Sequence, residues 1–517
     1  MFTSKSNFAS RSFVAAAALA MAAAPLSAGL KWDGGAGNGN WNAGDNWDPN
    51  GVPAANLAIV LAGNLQTNTT QNLGNPFELS SLTFDATAGG FDVGGNALKF
   101  SGNAPAIVQD ADAIHAIAAP VQINAPVLAL KGASGRQVRL HGVISQVGGN
   151  RGVTVDSSAT WLLTAANTYQ GDTALNAGSI AVENGQALGP AGKLVMKGGT
   201  LRSSTNAPAA GVTVGNAVTI DGNVQFSAAI ADAKPLTITG AVTLTGNREL
   251  NVVKGSNDNT PFGQASLTRF NGDITEDMAG RAMTKSGNGQ LIFNGQAKYT
   301  GATTVSGGLL TINQTMGALN NRVGPITANA GAKIALGNGV RVFAKNGVFM
   351  NNRAGAIMKV GNSPGVATFD SENSSGGVIM EPGSTFELTL DGPTPGGMPG
   401  LDHGQLNVLG SLAIDGSSLE AELGYAPSPF DKLFILTNDG FDSTIGQFAQ
   451  GGSIDLVSAV NGAPYQFQIS YAGDAMTGSL AGGNDVVLYG ASAVPEPAAL
   501  ALLGAAGISL VRVRRRK

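Results

Sequence analysis

Two stretches of this chain match each other without a gap at an offset of 130 positions, and no other sequence feature restricts the fold as much. The first runs from Val153-Thr154 through Trp161-Leu162-Leu163 to Tyr169, Gly171 and Thr173, then Gly178, Ile180 and Val182. The second runs from Met283-Thr284 through Leu291-Ile292-Phe293 to Tyr299, Gly301 and Thr303, then Gly308, Leu310 and Ile312. Each copy reads as three short strands broken by turns, because alternation sends one side chain inward and the next outward. The glycines permit the positive φ angles of sharp corners. Partial echoes of the last strand recur at 193–201 and 330–336. Such units cannot bury an apolar side alone, so they are expected to stack as coils of a parallel β-solenoid. A body of roughly 450 residues at about 23 per coil gives on the order of 20 coils. At about 4.8 Å per coil the rod would be roughly 90 to 100 Å long.

Composition supports many short strands and tight turns. Glycine supplies 74 of 517 residues and charged residues only 12%, while 43% are apolar, enough for a core. Composition argues against disorder, since disordered chains combine low hydrophobicity with high net charge. A formal net charge of -4 argues against nucleic acid as the main partner, which would need a basic face. With no cysteine, disulfides, Cys-ligated zinc and thiol catalysis are excluded together.

The two ends read as targeting segments. Lys5 and Arg11 precede an apolar run from Phe13 to Ala24, and small residues lead to Ala28 before Gly29. Residues 1–28 are therefore expected to be a signal peptide cleaved near Ala28 by signal peptidase. At the other end, Val494-Pro495-Glu496-Pro497 is followed by an uncharged run containing Ala498, Leu500, Leu502, Leu503, Ile508, Leu510 and Val511. A basic cluster of Arg512, Arg514, Arg515, Arg516 and Lys517 closes the chain. The prolines separate the folded body from the tail. The apolar run is expected to be a short transmembrane helix, with the cluster kept on the cytoplasmic side. Residues 494–517 resemble a PEP-CTERM sorting signal, which implies processing by a membrane-embedded exosortase and release towards the cell surface. The uncharged run departs from an ordinary spanning helix in being shorter than roughly 20 residues.

The repeats are similar to the autotransporter-associated β-strand repeat, with Lys285, Gly287, Gly289, Leu291, Phe293, Gly295, Tyr299, Gly301, Thr303 and Gly308 filling its pattern. The earlier copy diverges, with Val155 in place of the lysine and Ser157 and Ala159 in place of two glycines. The resemblance implies an all-β chain with a right-handed parallel β-helix in a secreted or passenger-like protein. Residues 29–360 are assigned to that solenoid and 361–490 to a C-terminal β-rich region. The latter shows alternation in 385–390, 405–408, 465–469 and 485–488, and a Gly/Pro-rich surface loop over 391–399. Trp32, Trp41 and Trp47 are expected to cap the open end of the solenoid, with exposed Trp stacking on carbohydrate as the alternative.

Little in the sequence carries chemistry. His115, His141 and His403 share no metal-ligand spacing. Asp402-His403 adjoin, but successive strand residues face opposite ways, and a solvated loop is expected there. Asp85, Asp92, Asp110, Asp112 and Asp156 are scattered, and Asp431 and Asp439 to Asp442 sit in turn-like sequence. The segment 482–488 resembles half of a calcium-binding nonapeptide, unrepeated, and reads better as a turn entering a final strand. The glycine-rich 34–39 lacks the setting and lysine of a phosphate cradle. No catalytic residue, metal or cofactor is implied. The expected function is therefore a surface-targeted structural or adhesive protein associated with extracellular polysaccharide, crossing the inner membrane on its way out. A polysaccharide-degrading enzyme or a glycan-binding module on the same scaffold is the alternative.

Overall fold

Strand alternation resolves into a three-faced coil in the structure, a computed structural model that describes residues 29–494 apart from 228, 362–363, 373–374 and 440–441. On the first face Ile59, Leu82, Ile107, Leu130, Val155, Leu175, Met196, Ile220 and Leu244 lie in register, one on the next, in parallel strands. Each is 0% or 1% exposed, so every coil adds one rung to a continuous apolar stack. The second face stacks Val138, Trp161, Ile180, Leu201, Phe226 and Val252 in the same way. Beyond residue 212 the third face stacks Val214, Ile238, Phe270, Phe293, Ile312, Leu336, Val360 and Leu388. Ladder hydrogen bonds run along the coil axis and side chains fill its interior, so the core has no centre and grows with length.

The two sequence copies occupy different faces. In the first, Val153 and Val155 lie on the first face and Trp161 on the second. In the second, Met283 continues the second face below Arg248, and Leu291 lies on the third below Thr268. An offset of 130 residues thus amounts to five coils plus one face, as the ladder from Thr154 through Ala174, Val195, Thr219 and Thr243 to Thr275 shows. The repeat specifies a local corner and its flanking strands, not a position around the axis.

Both ends are closed with aromatic rings. The first strand, Leu30–Trp32, pairs in parallel with Ala58–Leu61 and antiparallel with Trp47–Asp48, which covers its outer edge. Trp47 meets Trp32 and Trp41 edge-on, with centroids 5.0 and 5.7 Å away. All three rings are 0% exposed, as is Trp161, so the capping expectation holds and the exposed-Trp alternative is overturned. At the other end the parallel coil runs to Ser418–Leu423 on one face and to Lys432–Asn438, which pairs in parallel with Gln405–Leu409, on another. Lys432–Asn438 then pairs antiparallel with Asp485–Ala493, which pairs with Pro464–Gly473, and that with Ser453–Val457. Phe448 stacks on Phe386 of the last coils at 6.3 Å and closes that end.

The solenoid has about 14 turns, not the 20 expected. At about 4.8 Å per turn its length is roughly 65 Å. Two causes account for the difference. Coils lengthen where loops are inserted at corners, from the 20 residues separating Val155 and Leu175 to the 39 separating Phe369 and Val408. The chain also leaves the parallel ladder at the terminal antiparallel strands. Among the described residues no helix is long and apolar enough to cross a membrane. The expected signal segment 1–28 with its Ala28 site, and the expected sorting and membrane tail beyond Val494, lie outside the described residues.

Candidate functional site

The repeat signature has a direct structural meaning. Tyr169 and Tyr299 point into the coil fully buried, and each hydroxyl meets that of the threonine four residues on, Thr173 and Thr303, at 2.6 Å. Burial pushes both phenols above their ordinary titration range, so each acts only as a hydrogen-bonding group. The intervening glycine is steric. A Cβ on Gly171 would lie 2.4 Å from the carbonyl carbon of Arg151, and one on Gly301 would lie 2.3 Å from that of Arg281. Gly178 and Gly308 turn the next corner at φ of 79° and 63°. Tyr-x-Gly-x-Thr thus ties one corner shut while letting adjacent coils approach.

The copies differ at the lysine. Lys285 is 0% exposed and its Nζ donates to the carbonyls of Gly307, Gly287 and Ser286 at 2.8, 2.9 and 3.1 Å. Burial pulls this ammonium down to about 7. The first copy places Val155 there. Its corner is held by Ser157, which donates to the Gly132 carbonyl at 3.1 Å and accepts from the Ala159 amide at 3.0 Å.

The sequence missed one gathering of acids. Asp439, Asp442, Asp474 and Asp485 line a cleft of about 760 Å³ beside the terminal antiparallel strands. Asp485 accepts from the amides of Asn438 and Ala475 at 2.8 and 2.7 Å, and burial raises its pKa. Asp442 is raised by burial and by the neighbouring Asp439 charge. Asp474 is lowered by hydrogen bonds from Thr477. These acids come from two loops and the first residue of the last strand, so no spacing rule reveals them. Bends around 481–483 lead into the last strand, as the turn reading of 482–488 expects. Among the described residues no group of three or more His, Asp or Glu is placed to hold a metal ion.

His403 corrects one expectation. It is not in a solvated loop: it is 0% exposed, with its ring nitrogens 3.3 Å from the carbonyls of Gly392 and Phe434. Packing of the 391–401 loop against Lys432–Asn438 buries it, and burial lowers its pKa. Asp402 faces away, accepting from Thr394 and from the Met398 amide, so the two form no dyad. Of the expected sorting motif only Val494 is described, its amide donating to the Pro464 carbonyl at 2.9 Å. Pro495 to Lys517 lie outside the described residues.

Fold and corner chemistry define a class: a parallel β-solenoid built on glycine-cornered strand repeats, which fits a surface-associated β-repeat protein. The sequence model of the passenger-associated-transport-repeat family matches residues 153–182 and 283–312, the two copies described above. No curated protein and no solved structure matches this chain.

Proposed function

We propose that this chain is a secreted structural or adhesive protein of the cell surface, delivered through its C-terminal tail and associated with extracellular polysaccharide. The observation that carries this reading is the pairing of a continuous, end-capped solenoid bearing two transport repeats with a tail of Pro495-Glu496-Pro497, an uncharged run and Arg514 to Arg516. A rod that grows by stacking suits display at a distance from a membrane. The signal segment would be removed near Ala28, and an exosortase-type enzyme would process the tail after transient residence in the inner membrane. Fractionation of native cells tests it. Wild-type protein belongs at the surface or in the matrix, and Pro495→Ala/Glu496→Ala/Pro497→Ala is retained in the inner membrane. Identical fractions for both contradict tail-dependent sorting.

A polysaccharide-degrading enzyme is the rival, and the acidic cleft is the observation in its favour. Glycoside hydrolysis needs one protonated and one ionised carboxyl group, and Asp442 and Asp474 shift in opposite directions. Release of reducing ends that Asp442→Asn abolishes is the outcome the rival requires.

A further inference from the structure

The chain holds nine Asn-Gly dipeptides, the pairing in which an asparagine side chain is most open to attack by the next backbone amide. Glycine has no Cβ to obstruct that attack. In a folded chain the reaction needs two things: the carboxamide must swing towards the glycine nitrogen, and that nitrogen must be available. The fold restrains eight of the nine pairs. Asn38, Asn184, Asn288, Asn338 and Asn461 each accept a backbone amide at 2.8 to 3.0 Å. Asn271 and Asn294 bond to each other at 2.8 Å, and Asn50 donates to Asp45 at 3.0 Å. In five of these eight the glycine is held as well. The amides of Gly51, Gly289, Gly295, Gly339 and Gly462 donate to backbone carbonyls at 2.7 to 3.1 Å.

Asn346-Gly347 is the exception. The pair forms the exposed tip of a turn between strands Arg341–Phe343 and Phe349–Asn352. A bond from the Val348 amide to the Lys345 carbonyl at 3.1 Å closes the turn. Its base is anchored, since the Lys345 amide donates to Val323 at 3.0 Å and its Nζ to the Thr300 carbonyl at 2.7 Å. Its tip is not. Among the described residues neither the Asn346 carboxamide nor the Gly347 amide has a hydrogen-bonding partner. Gly347 has a φ of 72°, and a Cβ there would meet nothing within 4 Å. The peptide between the two residues therefore has room to rotate, and a ring closed across it has room to form.

We propose that Asn346 is a site of spontaneous modification, where the chain deamidates through a cyclic imide formed with Gly347. The Gly347 nitrogen attacks Cγ of Asn346, the bond from Cγ to Nδ2 breaks, and the amide proton departs with Nδ2 as ammonia. Water then opens the imide, giving its hydroxyl to one imide carbonyl and its proton to the nitrogen. Opening at Cγ leaves aspartate. Opening at the main-chain carbonyl leaves isoaspartate, whose backbone runs through the side chain and is one carbon longer. Either product places a carboxylate beside Lys345. The longer backbone also disturbs the entry to Phe349–Asn352, which pairs in parallel with Ile326–Ala328 and Gly377–Met380. This chemistry consumes only water and does not depend on where the protein is delivered.

Ageing of the purified full chain in neutral buffer, followed by peptide mass mapping, tests it. Each Asn-Gly pair is scored for conversion of amide to acid, and an isoaspartate-specific methylation assay reports the total. A parallel sample aged in urea removes the restraints of the fold. In the folded protein Asn346 is expected to convert about tenfold faster than any of the other eight, whose hydrogen bonds must break first. In urea the nine rates converge. Asn346→Gln keeps an amide on the exposed turn but requires a larger imide ring, and it removes most of the isoaspartate that the folded protein forms. Equal conversion at all nine pairs in the folded protein overturns the proposal, as does faster conversion at another pair. Conversion of Asn346 in urea but not in the fold overturns it too, because the turn would then hold the pair.

Discussion

Single residues show how closely the sequence pattern reflects packing. The tyrosine and threonine of each repeat were visible as recurring letters, but that they bond to each other inside the coil was not, because both could equally face solvent in a turn. Tyr299→Phe leaves the Thr303 hydroxyl buried without its partner, and the expected loss is about 1 to 2 kcal/mol of stability in urea titrations. Wild-type stability in Tyr299→Phe would contradict the assignment. Lys285 and His115 give stability a dependence on pH. Lys285 keeps its proton in the fold only below about 7, whereas the unfolded chain keeps it to about 10.5. The unfolded state therefore binds more protons in that window, and wild-type stability rises as pH goes from 7 to 10.5. Lys285→Met removes this rise, which denaturation at both limits measures. His115 stacks on Phe84 at 4.0 Å, accepts from the Phe91 amide, and is lowered by burial from 6.5 to about 4. Its contribution is complete above 6.5 and falls as pH drops towards 4, by at most about 1.4 kcal/mol per pH unit. In His115→Phe that part of the acid sensitivity disappears, so the gap between variant and wild type narrows across the same interval.

At the scale of elements, alternation and glycine were sufficient to predict parallel coils, while the angular position of each copy was not legible. The offset of 130 residues looks like a period, yet it places the copies one face apart, because corner loops of variable length intervene. Close approach at corners is the element-level constraint. Gly301→Ala puts a methyl group against the Arg281 backbone, and the coil must open to accept it. The expected cost is about 1 to 3 kcal/mol, with new hydrogen exchange in strands Met283–Ser286 and Thr303–Val305. Unchanged exchange there would show that the coils do not meet at this glycine. The acidic cleft was illegible for a related reason. Its four acids reach one place through antiparallel pairing of strands far apart in sequence, a contact that composition and spacing do not encode.

Across the whole molecule, both ends of the ladder must be covered, since an open parallel edge is a template for another chain. The tryptophan-rich opening was readable as a cap because three large rings near one end of a repeat array have few other places to go. Trp47→Ala removes the ring that touches both others, and a loss of about 3 to 5 kcal/mol with concentration-dependent association is expected by light scattering. The length of the rod was overestimated because the loops and the terminal antiparallel strands consume residues without adding turns. The central claim is that this rod is exported and released at the surface through its tail. Intact-mass measurement of the protein recovered from the surface of native cells tests that most directly. The account predicts a species beginning near Gly29 and lacking Arg512 to Lys517. A species that keeps its arginine cluster and sediments with the inner membrane would contradict it.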